Sequence, residues 1–218
     1  MPFSSVLGAS SVVKPGVCTS TTRPTVPYVG QLIFETDTNR LVVWNGSSWI
    51  YMVDADTPPG LELVKTQTIG SGITSVDVTN AFNSTYDNYK VFVSNATSSV
   101  ANQSWKMTFN GMTTGVYGTQ LYDLYTGGST GYLRQNNGSY IDVGFTSATT
   151  GQMSTTFDIV GPNLATRTAV SGLWLSGSYQ GWFAHTVDNT TQYTGFSLVA
   201  GNGTTTGGTI RVYGYRNS

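Results

Sequence analysis

The chain has 218 residues, of which 39% are apolar and 10% are charged, with 26 glycines and a formal net charge of −1. Ordinary soluble domains carry roughly 25% charged residues, so one protection against association is thin and much of the surface is expected to meet other protein. Lysines and arginines are scattered singly from Lys14 to Arg216, which leaves no basic stripe for phosphates and argues against nucleic acid as a partner.

The first residues, MPFSSVLGASSVVKPG, lack the basic region and apolar core of a signal peptide. No run of about 18 apolar residues marks a membrane span, so no membrane insertion is expected. Cys18 is the only cysteine. It cannot form an intrachain disulfide and reads as a small apolar residue beside Val17. Residues 1–29 are short apolar clusters among Ser, Thr and Pro, with Pro15, Pro24 and Pro27 blocking any helix. They are expected to form an extended arm that anchors on a neighbour.

Residues 30–53, GQLIFETDTNRLVVWNGSSWIYMV, read as a meander of three short strands at 31–36, 40–44 and 48–53. Asp37-Thr38-Asn39 makes the first turn. Asn45-Gly46 makes the second, as the strongest short hairpin signal, because both positions accept positive φ. Leu32 and Phe34 oppose Ile33; Leu41 and Val43 oppose Val42 and Trp44; Trp49 and Tyr51 oppose Ile50 and Met52. Both faces therefore carry apolar bulk. A lone sheet of this size is marginal in water, so the meander is expected to be covered by copies of itself through Leu32, Phe34, Leu41, Val43, Trp44, Trp49 and Tyr51.

The run Thr21-Thr22-Arg23-Pro24, Val26-Pro27-Tyr28, Gly30-Gln31, Glu35-Thr36-Asp37-Thr38, Trp44-Asn45-Gly46 and Trp49 resembles a module of tailed-bacteriophage virion proteins. That module is usually attached to fibre, minor tail or other exposed structural domains. The likeness covers about a quarter of the chain. The remainder resembles the jelly-roll-like β-sandwich domains that often follow it, best at 82–89, at Gly161-Pro162-Asn163 and at 208–216. The resemblance implies a structural, non-enzymatic role on a virion, with other capsid or tail proteins as partners. A homotrimer is expected, because a cyclic assembly wraps several meanders around one axis.

Residues 54–60 are polar, contain a Pro-Pro pair, and read as a stiffened linker. From 61 to 218 no helical period of any length occurs, apart from a single candidate turn at 80–86. Strand-sized runs stand instead at 63–69, 73–78, 89–94, 104–109, 120–125, 140–145, 153–160, 168–175, 181–185, 193–198 and 209–215. Short strands between Gly-rich turns predict an all-β domain. An antiparallel jelly-roll-like sandwich suits this strand number better than a closed barrel. Phe157 and Trp174 are expected in its core.

Chemistry is sparse. His185 is the only histidine; it follows Trp182-Phe183-Ala184 on a predicted strand, no Gly-x-Ser-x-Gly elbow supplies a nucleophile, and a surface or satisfied strand histidine is expected. One His and one Cys do not make a zinc site, and no cofactor is expected. Paired carboxylates for glycan cleavage would have to come from Asp77, Asp87, Asp123, Asp142, Asp158 and Asp188, which fall in separate segments. Asp54 with Asp56, and Asp188-Asn189, are the nearest approach to a calcium loop, without its ligand density. The aromatics Tyr122, Tyr125 and Trp182 exceed what one sandwich face needs, which makes them candidate contacts for a host-surface glycan or a subunit. Three functions are open: a trimeric fibre-like appendage that touches the host, a capsid decoration (cement) protein, and, least favoured, a small glycan-degrading tail enzyme.

Overall fold

The structure is a computed structural model that describes residues 15–52, 60–128, 130–149 and 153–216. The first half of the expected arm, the linker residues 54–59 and the Asp54–Asp56 pair lie outside the described residues. The chain divides into two compact units, Met1–Pro58 and Pro59–Ser218. The described residues contain no helix; both units are built from β-strands.

In the first unit, β2 (Leu32–Glu35), β3 (Arg40–Trp44) and β4 (Trp49–Tyr51) form the antiparallel meander. The second connection is longer than expected: Trp44 pairs with Trp49, so Asn45–Ser48 forms the loop. Only Gly46 takes positive φ there, at 104°. The Asn45 Oδ1 accepts bonds from the Ser47 and Ser48 amides at 2.9 and 2.8 Å, and this side-chain-closed turn replaces the two-residue Asn-Gly turn.

Part of the arm departs from expectation. β1 (Gly16–Cys18) pairs parallel with β2, occupying an edge that would otherwise offer unpaired amides and carbonyls. Two adjacent parallel strands need a crossover connection. Residues 19–31 supply it, so this stretch is part of the sheet.

The second unit is a β-sandwich. Its strands are β5 (Leu61–Thr68), β6 (Ser75–Val78), β7 (Asn88–Ser98), β8 (Ser104–Phe109), β9 (Val116–Leu124), β10 (Gly131–Gly138), β11 (Ile141–Phe145), β12 (Met153–Val160), β13 (Thr168–Ser176), β14 (Tyr179–Val187), β15 (Phe196–Ala200), β16 (Thr205–Thr206) and β17 (Thr209–Tyr215). One sheet runs β10-β9-β14-β13-β12-β7-β17-β5, with β16 against β7; the other runs β11-β8-β15-β6. The pairs β5–β17, β6–β15, β7–β12 and β8–β11 are nested first with last. That nesting is jelly-roll topology. Two insertions, β9–β10 and β13–β14, join side by side and widen only the first sheet.

Alternation along each strand decides which side chains face inward. β7 buries Tyr89, Val91 and Val93, β12 buries Met153, Phe157 and Ile159, and β8 buries Trp105, Met107 and Phe109. Phe157 is fully buried and Trp174 nearly so, as the sequence predicts. Phe82 stacks on Phe196 at 5.8 Å and Phe109 on Tyr193 at 4.5 Å; each such pair contributes about 0.5–1.5 kcal/mol beyond its buried area. The candidate helical turn at 80–86 is not a helix. Asn80 sits at φ 53°, and the Tyr89 hydroxyl accepts from the Asn83 amide while donating to the Asn83 carbonyl, which fixes this loop as a set of turns. Under the widened sheet, Gly181 stands beside Trp174, and a Cβ there would collide with the Leu121 carbonyl and meet the indole at 2.9 Å. A larger residue there would strain the pairing of β14 with β9 as well as displace the ring.

Candidate interaction surfaces

The two faces of the N-terminal sheet differ. One carries Ile33 and Val42, both buried, with Glu35, Arg40, Trp44, Trp49 and Tyr51. The crossover closes over this face: Arg23, which lies on it, pairs with the fully buried Glu35 and also reaches Tyr51. Thr38 Oγ1 donates to the second Glu35 oxygen at 2.9 Å. The Arg23 bond holds the Glu35 carboxyl below its ordinary value, against a desolvation that pushes it up. Trp44 and Trp49 pair at 5.6 Å, and the Arg40 guanidinium lies 4.5 Å over the Tyr51 ring.

The opposite face is apolar throughout. Val17, Leu32, Phe34, Leu41, Val43, Ile50 and Met52 share it by register, and Val17, Leu41, Ile50 and Met52 are exposed. The residues predicted for self-association are thus divided. Leu32, Phe34, Leu41 and Val43 lie on the open face, whereas Trp44, Trp49 and Tyr51 lie on the face that the chain covers itself. Val17, Ile50 and Met52 belong to the open face but were not among the predicted set; Ile50 and Met52 were legible from alternation, Val17 was not, because β1 was not foreseen.

On the sandwich, the three predicted aromatics do not form one platform. Tyr122 turns inward, its ring packed on Phe145 at 4.9 Å and near Tyr179. Tyr125 is exposed at the strand end, donating through its hydroxyl to the Gly177 carbonyl at 3.1 Å. Trp182 is half exposed on the outer face of the wide sheet. There the register sets Tyr132, Leu121, Trp182, Leu173, Thr156 and Phe92 in one row across β10, β9, β14, β13, β12 and β7. An open hollow of about 540 Å³ lies beside Trp182, lined among others by Leu121, Asp123, Leu173, Leu175 and Gln180. A second, of about 350 Å³, shares Leu173 and Leu175 and reaches Phe92.

Inside the sandwich lies a polar cluster. His185 is buried, and neither ring nitrogen has a hydrogen-bond partner. This overturns the expected surface or satisfied histidine: the inward register of β14, alternating with Trp182 and Ala184, carries His185 into the core beside Phe183. Its ring leans over Gly118, whose missing side chain makes the room. Gln120, on the same face of β9, is also buried with both amide atoms unpartnered. Asp142 is buried but accepts bonds from Ser104 Oγ and, at 2.8 Å, from Gln135 Nε2. Desolvation pushes the His185 pKa down to about 4, with the Asp142 charge opposing. The imidazole is therefore neutral at pH 7 and presents no surface to a substrate.

Most of the other described aspartates serve local partners. Asp77 accepts from Ser197, Asp123 from Thr130, and Asp158 from both Lys90 and Tyr215. Asp188 pairs with Arg167, and Asn189 bonds the Tyr193 hydroxyl. Among the described residues no three His, Cys, Asp or Glu converge on a point that could hold a metal ion. Comparison with family models, with curated proteins and with solved structures finds no match to this chain.

Proposed function

We propose that this chain is a non-enzymatic structural protein on the exterior of a tailed-phage particle. It assembles as a trimer, attaches through its N-terminal unit and projects the sandwich outward for contact with the host surface. The observation that carries this reading is the asymmetry of the N-terminal sheet. A crossover and a buried ion pair close one face, while the other leaves Val17, Leu41, Ile50 and Met52 in solvent with no polar residue among them. An apolar sheet face of this kind marks an interaction site. The resemblance of residues 21–49 to a virion module gives that interaction its setting.

A capsid decoration protein is the second reading, favoured by exposed apolar side chains on both units, which a shell would cover. Antibody labelling of particles separates the two, since decoration requires hundreds of copies and a tail appendage a few. Particles made with the Ile50→Asp chain are expected to lose the label. Normal labelling of those particles, or no label on wild-type particles, overturns the proposal.

A further inference from the structure

We infer that the outer face of the wide sandwich sheet is itself a self-association surface, whose occupant is a second copy of this chain. The inference stands on the sandwich alone and does not rest on the function proposed above. An antiparallel sheet whose other face is packed on the core normally turns polar residues outward. Strands β7 and β12 follow that rule over part of their length, with Lys90 paired to Asp158 and with Ser154 and Thr156 outward. The middle of the sheet does not. Tyr132 is 66% exposed, Leu173 62%, Trp182 49%, Leu175 47% and Phe92 37%, and all lie on this one face.

The area decides what such a face is for. Those side chains leave on the order of 500 Å² of apolar surface in solvent, at typical side-chain areas. A standard interface buries about 800 Å² per partner, of which roughly 55–65% is apolar. The patch therefore supplies the apolar centre of one full interface. Its margin has the polar character of an interface rim: Asp123 takes the Thr130 hydroxyl at 3.3 Å, and Asp158 is held by Lys90 and by Tyr215 at 2.6 Å.

The chemistry also selects among occupants. A sugar needs donors and acceptors converging on its hydroxyls, but the centre is Leu173 and Leu175, which offer none, and Asp123 and Gln180 stand at one end. An added peptide strand needs a free sheet edge; β10, which carries Tyr132, is such an edge, but Trp182, Leu173, Leu175 and Phe92 stand on β14, β13 and β7, which are paired on both sides. A matching apolar face meets neither objection. A net charge of −1 sets little repulsion against bringing copies together.

Sedimentation velocity over a wide concentration range tests this on full chains: wild type, Ile50→Asp, Leu173→Asp with Trp182→Gln, and all three changes together. The Ile50→Asp chain is expected to remain associated. Adding the sandwich changes is expected to weaken association by roughly 30-fold or more, to a monomer with an unaltered thermal transition, since both positions are solvent-facing. If Ile50→Asp alone gives a monomer at every concentration, or if the sandwich changes leave association untouched, the inference falls. It falls equally if the Ile50→Asp chain is monomeric and its tryptophan emission shifts on titration with maltose or lactose, which would make the hollow a sugar site. If Ile50→Asp has no effect while the sandwich changes give a monomer, the inference stands and the role given to the N-terminal face fails.

Discussion

Replacing His185 by Phe tests the buried polar cluster, and its size follows from the structure. Above pH 6.5 the imidazole is neutral in both folded and unfolded chains and contributes nothing to pH dependence. As pH falls below 6.5, the unfolded chain takes up a proton that the folded chain refuses until about pH 4. The His185 contribution to stability is therefore lost through that window and is wholly gone below it. At about 1.4 kcal/mol per unit, the whole window is worth about 3 kcal/mol. A phenyl ring is close to imidazole in shape and leaves no nitrogen unpartnered, so at neutral pH the variant is expected to come close to the wild type. Urea unfolding at about pH 7.5 and about pH 4.5 should show the gap between the two widening by about 2–3 kcal/mol. Groups elsewhere that lose stability in acid cancel in the comparison. Because the chain has one histidine, its imidazole resonance can be followed directly in tag-free protein. A folded-state titration near the ordinary value, or a gap that does not change with pH, refutes the reasoning.

Arg23→Met removes the cation from the buried Glu35 and leaves it the Thr38 hydroxyl, and should cost the N-terminal unit about 3–5 kcal/mol in denaturant unfolding; Arg23→Met with Glu35→Met should recover part of it. The wild-type ion pair lowers the Glu35 pKa, so this unit should lose stability as pH falls below the ordinary carboxylate value and through the lowered folded one, a loss absent from the double variant. Phe157→Ala, at the centre of the core, should cost about 3–5 kcal/mol in the sandwich transition. Gly181→Val sets a side chain against the Leu121 carbonyl and the Trp174 ring and should shift near-ultraviolet dichroism and lower stability by about 3 kcal/mol or more.

The strands with strong apolar alternation were legible from sequence because their inward positions form one unbroken core. Met153, Phe157 and Ile159 announce β12, and Ile210 and Val212 announce β17, whatever they pair with. β10 was invisible for the opposite reason. Its sequence, GYLRQNNG, has no run of β-branched residues, and Gln135 faces inward to bond Asp142, a contact that only the fold creates. His185 lay outside reach in a related way. Alternation against Trp182 permits either face, and the choice depends on Trp182 joining Leu173 and Leu121 across three strands. The same cross-strand row explains the scattered aromatics: Tyr122 and Trp182 are an even number apart in the chain, yet lie on different strands whose register sends one inward and the other outward.

The N-terminal arm gives the sharpest contrast between what a linear reading separates and what the fold joins. Pro15, Pro24 and Pro27 correctly exclude a helix, and from that alone residues 1–29 read as one detachable piece. In the structure residues 15–29 are joined to the meander: β1 fills the edge of β2, the Thr36 amide bonds the Cys18 carbonyl at 2.9 Å, and Arg23 closes over Glu35. A chain starting at residue 15 should therefore keep the N-terminal sheet intact. A chain starting at residue 30 uncovers Ile33 and Val42, leaves the Glu35 carboxylate without its cation, and makes both faces of a small meander apolar and wet. Amide exchange across 32–44 is expected to match the full chain in the first truncation and to rise toward unprotected rates in the second. Equal protection in both would mean that the meander holds by itself, and the division of its faces into one closed and one open would lose its physical basis.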